Sequence, residues 1–134
     1  MRWRLLALVV LALSALSALA AAYVYRASFT GSLRVEPGAP GMTVAVSENG
    51  AFGSVAPGEW SKQLVMTVGN ISPETITALY FDMDMPPGVT FYALAPPFAP
   101  LLPGTQTSFP VVVHVDEGVA TADLTYSGKV IGVR

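Results

Sequence analysis

Two periods of hydrophobicity divide the chain. Residues 5–22 form an apolar run without a charge, and from Tyr23 onwards apolar and polar positions alternate. In residues 23–35, YVYRASFTGSLRV, one face carries Tyr23, Tyr25, Ala27, Phe29, Leu33 and Val35, with Gly31 as the only gap. Val24, Arg26, Ser28, Thr30, Ser32 and Arg34 fall on the other. A period of two marks a strand with one buried face. The stretch is roughly twice the usual strand of about 5–6 residues. At ~3.3 Å per residue it reaches ~40 Å, more than one small sandwich pairs along its length. The expectation is a strand with apolar teeth left over for something beyond its own body.

The same alternation recurs down the chain between turn residues. EPGAPG, residues 36–41, breaks the first strand. Met42, Val44 and Val46 predict a second strand, ended by Glu48-Asn49-Gly50, and residues 51–55 a short fragment. Trp60, Leu64, Met66 and Val68 predict the inward face of another strand, closing at Gly69-Asn70. Over residues 75–85, Leu79, Phe81, Met83 and Met85 point inward, with Asp82 and Asp84 outward; residues 89–94 read as a shorter strand. The proline-rich stretch 95–107 excludes a helix or a central strand. Its Phe98, Leu101 and Leu102 predict a cap over an open end of the core. Phe109, Val111, Val113 and Val115 alternate next, and Asp116-Glu117-Gly118 predicts a hairpin turn into a last strand. That strand carries Ala120, Ala122, Leu124 and Tyr126 on one face, and residues 129–134 read as a tail.

Seven or so short strands, turn signals about every 8–12 residues and no amphipathic helix predict an all-β fold. The expected form is an immunoglobulin-like or jelly-roll two-sheet antiparallel sandwich, preceded by an N-terminal hydrophobic signal or anchor helix. The 134 residues divide into a signal peptide or signal anchor (1–22), the long strand (23–35) and the sandwich domain (36–134).

Arg2 and Arg4 before the apolar run make it an export signal, with small residues that allow cleavage after Ala20 or Ala22. Left uncleaved and extended through Tyr25, the run spans a ~30 Å hydrocarbon core. In either case the positive-inside rule places the domain outside, so the expected location is extracellular, at the cell surface. Only 12% of residues are charged, against about 25% in ordinary soluble domains, which suggests a surface partly covered by another molecule. Beyond residue 22, five bases against nine acids leave a formal charge of −4. That balance argues against nucleic acid and anionic lipid surfaces as partners; a membrane is expected only if the leader stays.

Candidate chemistry is sparse. There is no cysteine, and His114 is the only histidine, so nucleophile–base arrangements and histidine-cluster metal sites lack members. No enzyme and no cofactor are expected. Asp82 and Asp84, with Asp116 and Glu117, could meet around Ca²⁺ if the fold joined them; otherwise they form a solvated acidic face that discourages edge pairing. Asn70-Ile71-Ser72 is a glycosylation acceptor pattern, which makes Asn70 a candidate site.

Two stretches carry a resemblance: RASFTGSLRV (residues 26–35) close behind an export signal, and GSVAPGEWSKQLVMTVGNISPETITAL (residues 53–79). Together they resemble the TasA/camelysin family of biofilm-fibre proteins and the related subunits of archaeal bundling pili. This chain is shorter and lacks the family's long insertions. The resemblance implies a jelly-roll-like sandwich that polymerises by donor-strand exchange, the N-terminal strand of one subunit completing the sheet of the next. The residues lead to the same expectation, because an overlong N-terminal strand suits β-augmentation of an open sheet edge. Tyr23, Tyr25, Ala27 and Phe29 are the expected subunit-interface teeth, with Leu33 and Val35 kept at home. The expected function is a structural subunit of an extracellular filament whose partners are copies of itself. The alternative is a membrane-anchored sandwich acting as an accessory or adhesion subunit of a cell-envelope complex. A third is a secreted carbohydrate- or Ca²⁺-binding module.

Overall fold

The computed structural model describes residues 28–94 and 100–134, together with Trp3, Arg4, Leu6, Ala7 and Val9. Eight strands follow one another: β1 Phe29–Pro37, β2 Met42–Val46, β3 Ala51–Val55, β4 Leu64–Asn70, β5 Ala78–Asp84, β6 Val89–Ala93, β7 Gln106–Val115 and β8 Asp123–Val133. They form two four-stranded sheets, ordered β3-β1-β8-β5 and β2-β4-β7-β6. The class is all-β and sandwich-like. Every pairing is antiparallel except β1 with β8, which runs parallel from Thr30 opposite Asp123 to Pro37 opposite Val130. The expectation of purely antiparallel sheets is therefore corrected at this one pair. Among the described residues no helix is long and apolar enough to cross a membrane.

Alternation builds the core as expected. Phe29, Leu33, Tyr126 and Val130 from one sheet face Leu64, Met66, Val111 and Val113 from the other, each at most 4% exposed. Full burial of such side chains stabilises the fold by about 1.5–3 kcal/mol apiece. Gly31, the gap in the tooth row, is filled from the neighbouring strand. A Cβ there would meet the Tyr126 hydroxyl. The Tyr126 ring stacks against Phe29 and Phe52, each with centroids 6.3 Å away.

Three expectations change. Asp116-Glu117-Gly118 is a turn, but it carries the chain from one sheet to the other, since β7 pairs with β4 and β6 while β8 pairs with β1 and β5; there is no hairpin. The presumed tail is the second half of β8, with Val130 fully buried. Trp60 is 57% exposed rather than inward, because it precedes β4 and is held by β7 instead, bridged to His114. Of the proline-rich stretch, residues 95–99 with Phe98 lie outside the described residues. Leu101 is buried and exchanges backbone hydrogen bonds with Ile76, whereas Leu102 is exposed.

Candidate functional site

The sheets do not close around the core on the side where β5 and β6 lie. Each strand is the last of its sheet, paired on one side only, β5 with β8 and β6 with β7. The short link Met85-Pro86-Pro87-Gly88 carries the chain across, and the Pro86 carbonyl accepts a hydrogen bond from Val89 N at 3.1 Å. Two edges that diverge from one link leave a cleft of about 430 Å³. Its lining is apolar: Phe81, Met83 and Met85 from the β5 side, Val89, Phe91 and Ala93 from β6. All but Val89 are only half-buried, although they pack against the core. Alternation placed Phe81, Met83 and Met85 inward; it did not show that β5 and β6 end their sheets among the described residues.

Of the four predicted teeth, Tyr23, Tyr25 and Ala27 lie outside the described residues. Phe29 does not belong with them. It is 1% exposed, opens β1 opposite Val55 and stacks on Tyr126 inside its own domain. Phe29 is a tooth kept in its own core, with Leu33. The physical reason is the Gly31 gap, which lets the Tyr126 ring in beside Phe29 and fixes that residue in the core.

Asn70 is corrected as a glycosylation site. It is 1% exposed. Its Nδ2 donates to the carbonyls of Glu74 (2.8 Å) and Leu101 (2.9 Å), while Oδ1 accepts from Ser72 N (3.0 Å) and Ser72 Oγ (2.7 Å). The nitrogen that would carry a sugar is enclosed, with both hydrogens engaged. The acceptor pattern is a structural bracket joining the end of β4, the following corner and the loop before β7.

The charged candidates stay dispersed. Asp82 and Asp84 border a polar groove with Arg34, Glu36 and Lys129 on the outer face of the first sheet, where Asp82 pairs in register with Lys129. Among the described residues no three acidic or histidine side chains group to hold a metal. His114 Nδ1 stands 3.4 Å from Asp116 Oδ1. Burial pushes the Tyr126 phenol up to about 12, and its buried hydroxyl has no hydrogen-bond partner.

One cluster escaped the sequence reading. On the outer face of the second sheet, Trp60 lies 5.1 Å from Tyr92 and 4.7 Å from His114 between ring centroids. Its only sequence signal is the placing of one aromatic beside a turn and another outward on a strand. Comparison with known protein families, curated proteins and solved structures finds no match for this chain.

Proposed function

We propose that the protein is a non-enzymatic structural subunit of an extracellular filament at the cell surface, polymerising by donor-strand complementation. In this reading residues 23–27 of one copy lie in the β5–β6 cleft of the next. The cleft is the observation that carries it: two edges that no further strand joins among the described residues flank half-buried apolar side chains. An extended segment with alternating apolar residues offers backbone hydrogen-bond partners to such edges and side chains to such a floor. Residues 23–27 have that pattern and run directly into β1 in phase with Phe29. The sandwich is read as immunoglobulin-like or jelly-roll, in keeping with the resemblance to fibre and bundling-pilus subunits.

The test is removal of residues 23–27 from the full chain, followed by electron microscopy and sedimentation. The reading expects fibres from the intact protein and soluble monomers from the deletion. Fibres that persist after the deletion reject it. An intact N-terminus found only in membranes, with no fibres, favours the anchored envelope subunit instead.

A further inference from the structure

The Trp60–Tyr92–His114 cluster has a part the fold does not use. Trp60 is fixed by backbone on both sides of it: Ser61 N donates to Val113 O at 2.9 Å and Val115 N to Glu59 O at 3.1 Å. Its ring meets Tyr92 at 51° and His114 at 60°. Beside them Val112, although on the outward face of β7 opposite Tyr92, is only 5% exposed. Tyr92 pairs in register with Val112, which accounts for one side of the cluster. It does not account for an indole left 57% exposed and a phenol left 42% exposed.

We infer that Trp60 and Tyr92 form a stacking platform for a neutral pyranose unit of a polysaccharide, with His114 and Asp116 at its rim as partners for sugar hydroxyls. Charge selects this occupant. The electron-rich indole face complements the C–H face of a pyranose ring, and the Asp116 carboxylate accepts hydroxyl hydrogens. Glu59 precedes Trp60 in the chain and Asp116 Oδ1 stands 3.4 Å from His114 Nδ1, while Lys62 is engaged in an ion pair with Glu48 at 2.9 Å. An anionic ligand is repelled there. A cation cage needs several ring faces turned to one point, whereas Tyr92 and His114 are turned against Trp60 itself. Tyr92 also borders the β5–β6 cleft, but Trp60 and His114 lie outside its lining, and sugar binding through the indole is read without reference to fibres.

The test uses the full chain with Trp3→Phe, which leaves Trp60 as the sole indole. Emission is titrated with hydroxyethyl cellulose, laminarin, mannan, xylan and galactan, and retardation in gels containing each is read in parallel. At least one polysaccharide is expected to shift the emission to the blue and retard the protein. Tyr92→Ala weakens that binding by roughly tenfold, Tyr92→Phe retains it, and Trp60→Ala abolishes retardation. Tyr92→Ala, which leaves the backbone bonds on either side of Trp60 in place, reads the same loss should Trp60→Ala fail to fold. No response to any of the five, retardation by polygalacturonate alone, or unchanged retardation in both alanine variants overturns the assignment.

Discussion

Replacing Asn70 by alanine tests whether the sequon is a bracket. The side chain makes four hydrogen bonds, and all of them vanish together. Ser72 Oγ keeps the Glu74 carbonyl at 3.0 Å, so that acceptor retains a partner. The Leu101 carbonyl likewise keeps Ile76 N at 3.0 Å, so Ser72 N is the group that loses its partner. A buried polar group left unpaired costs about 1–3 kcal/mol, and the lost packing adds to it, so the variant is expected to be less stable by about 2–4 kcal/mol. At roughly 4–8 °C per kcal/mol for a domain of this size, the thermal midpoint falls by roughly 8–32 °C. Against a total of about 5–15 kcal/mol this is a large share. Denaturant titration followed by circular dichroism reads it directly. Asn70→Asp separates hydrogen bonding from shape, since it keeps the volume but turns a lone pair towards two carbonyls. Its carboxyl is raised by that environment, so the acid favours the folded state while protonated. The variant regains stability as pH falls and loses it as pH rises through the folded value. An alanine variant within about 1 kcal/mol of the parent, or an aspartate variant that strengthens as pH rises, refutes the bracket.

Two further outcomes follow from the core. Tyr126→Phe removes a buried hydroxyl without a partner and is expected to raise stability by about 1 kcal/mol. With Tyr126 held up to about 12, the parent loses stability from the ordinary tyrosine range near 10 up to that value, and the phenylalanine variant does not; alkaline unfolding curves of the two read the difference. Phe29→Ala is expected to cost about 3–5 kcal/mol, and to cost the same after residues 23–27 are removed, as urea titration of both backgrounds shows. A loss confined to assembled material would return Phe29 to the interface.

What the sequence made legible was local. Phe109, Val111, Val113 and Val115 alternate, and all four are buried in β7; the turns at Glu48-Asn49-Gly50 and Pro86-Pro87-Gly88 fall where their residues predict. What it hid depended on neighbours distant in sequence. Residues 129–134 read as a tail, yet a Cβ on Gly128 would meet Met83 Sδ and one on Gly132 would meet Met42 Sδ. They are sites of close approach inside a continuous strand. The turn after β7 has hairpin chemistry, but which sheet receives β8 is decided by its pairing with β1 and β5. Trp60 keeps the parity of Leu64, but residues 61–63 are not in a strand, so the phase does not carry across them. Asn70 is a motif in one dimension and a bracket in three, because its partners at Glu74 and Leu101 arrive only with the fold. The candidate cleft was half legible: its lining came from alternation, its openness from topology.

The absence of cysteine from the chain permits a direct test of the donor-strand account. Tyr25→Cys is combined in turn with Met83→Cys, Phe91→Cys or Ala93→Cys in the full chain, assembled, oxidised and run on non-reducing gels. The account predicts a ladder of covalent multimers for at least one pair, collapsing to monomer on reduction and missing when either cysteine is present alone. Monomer bands for all three pairs, whether bridged within one chain or left as free thiols, would contradict it.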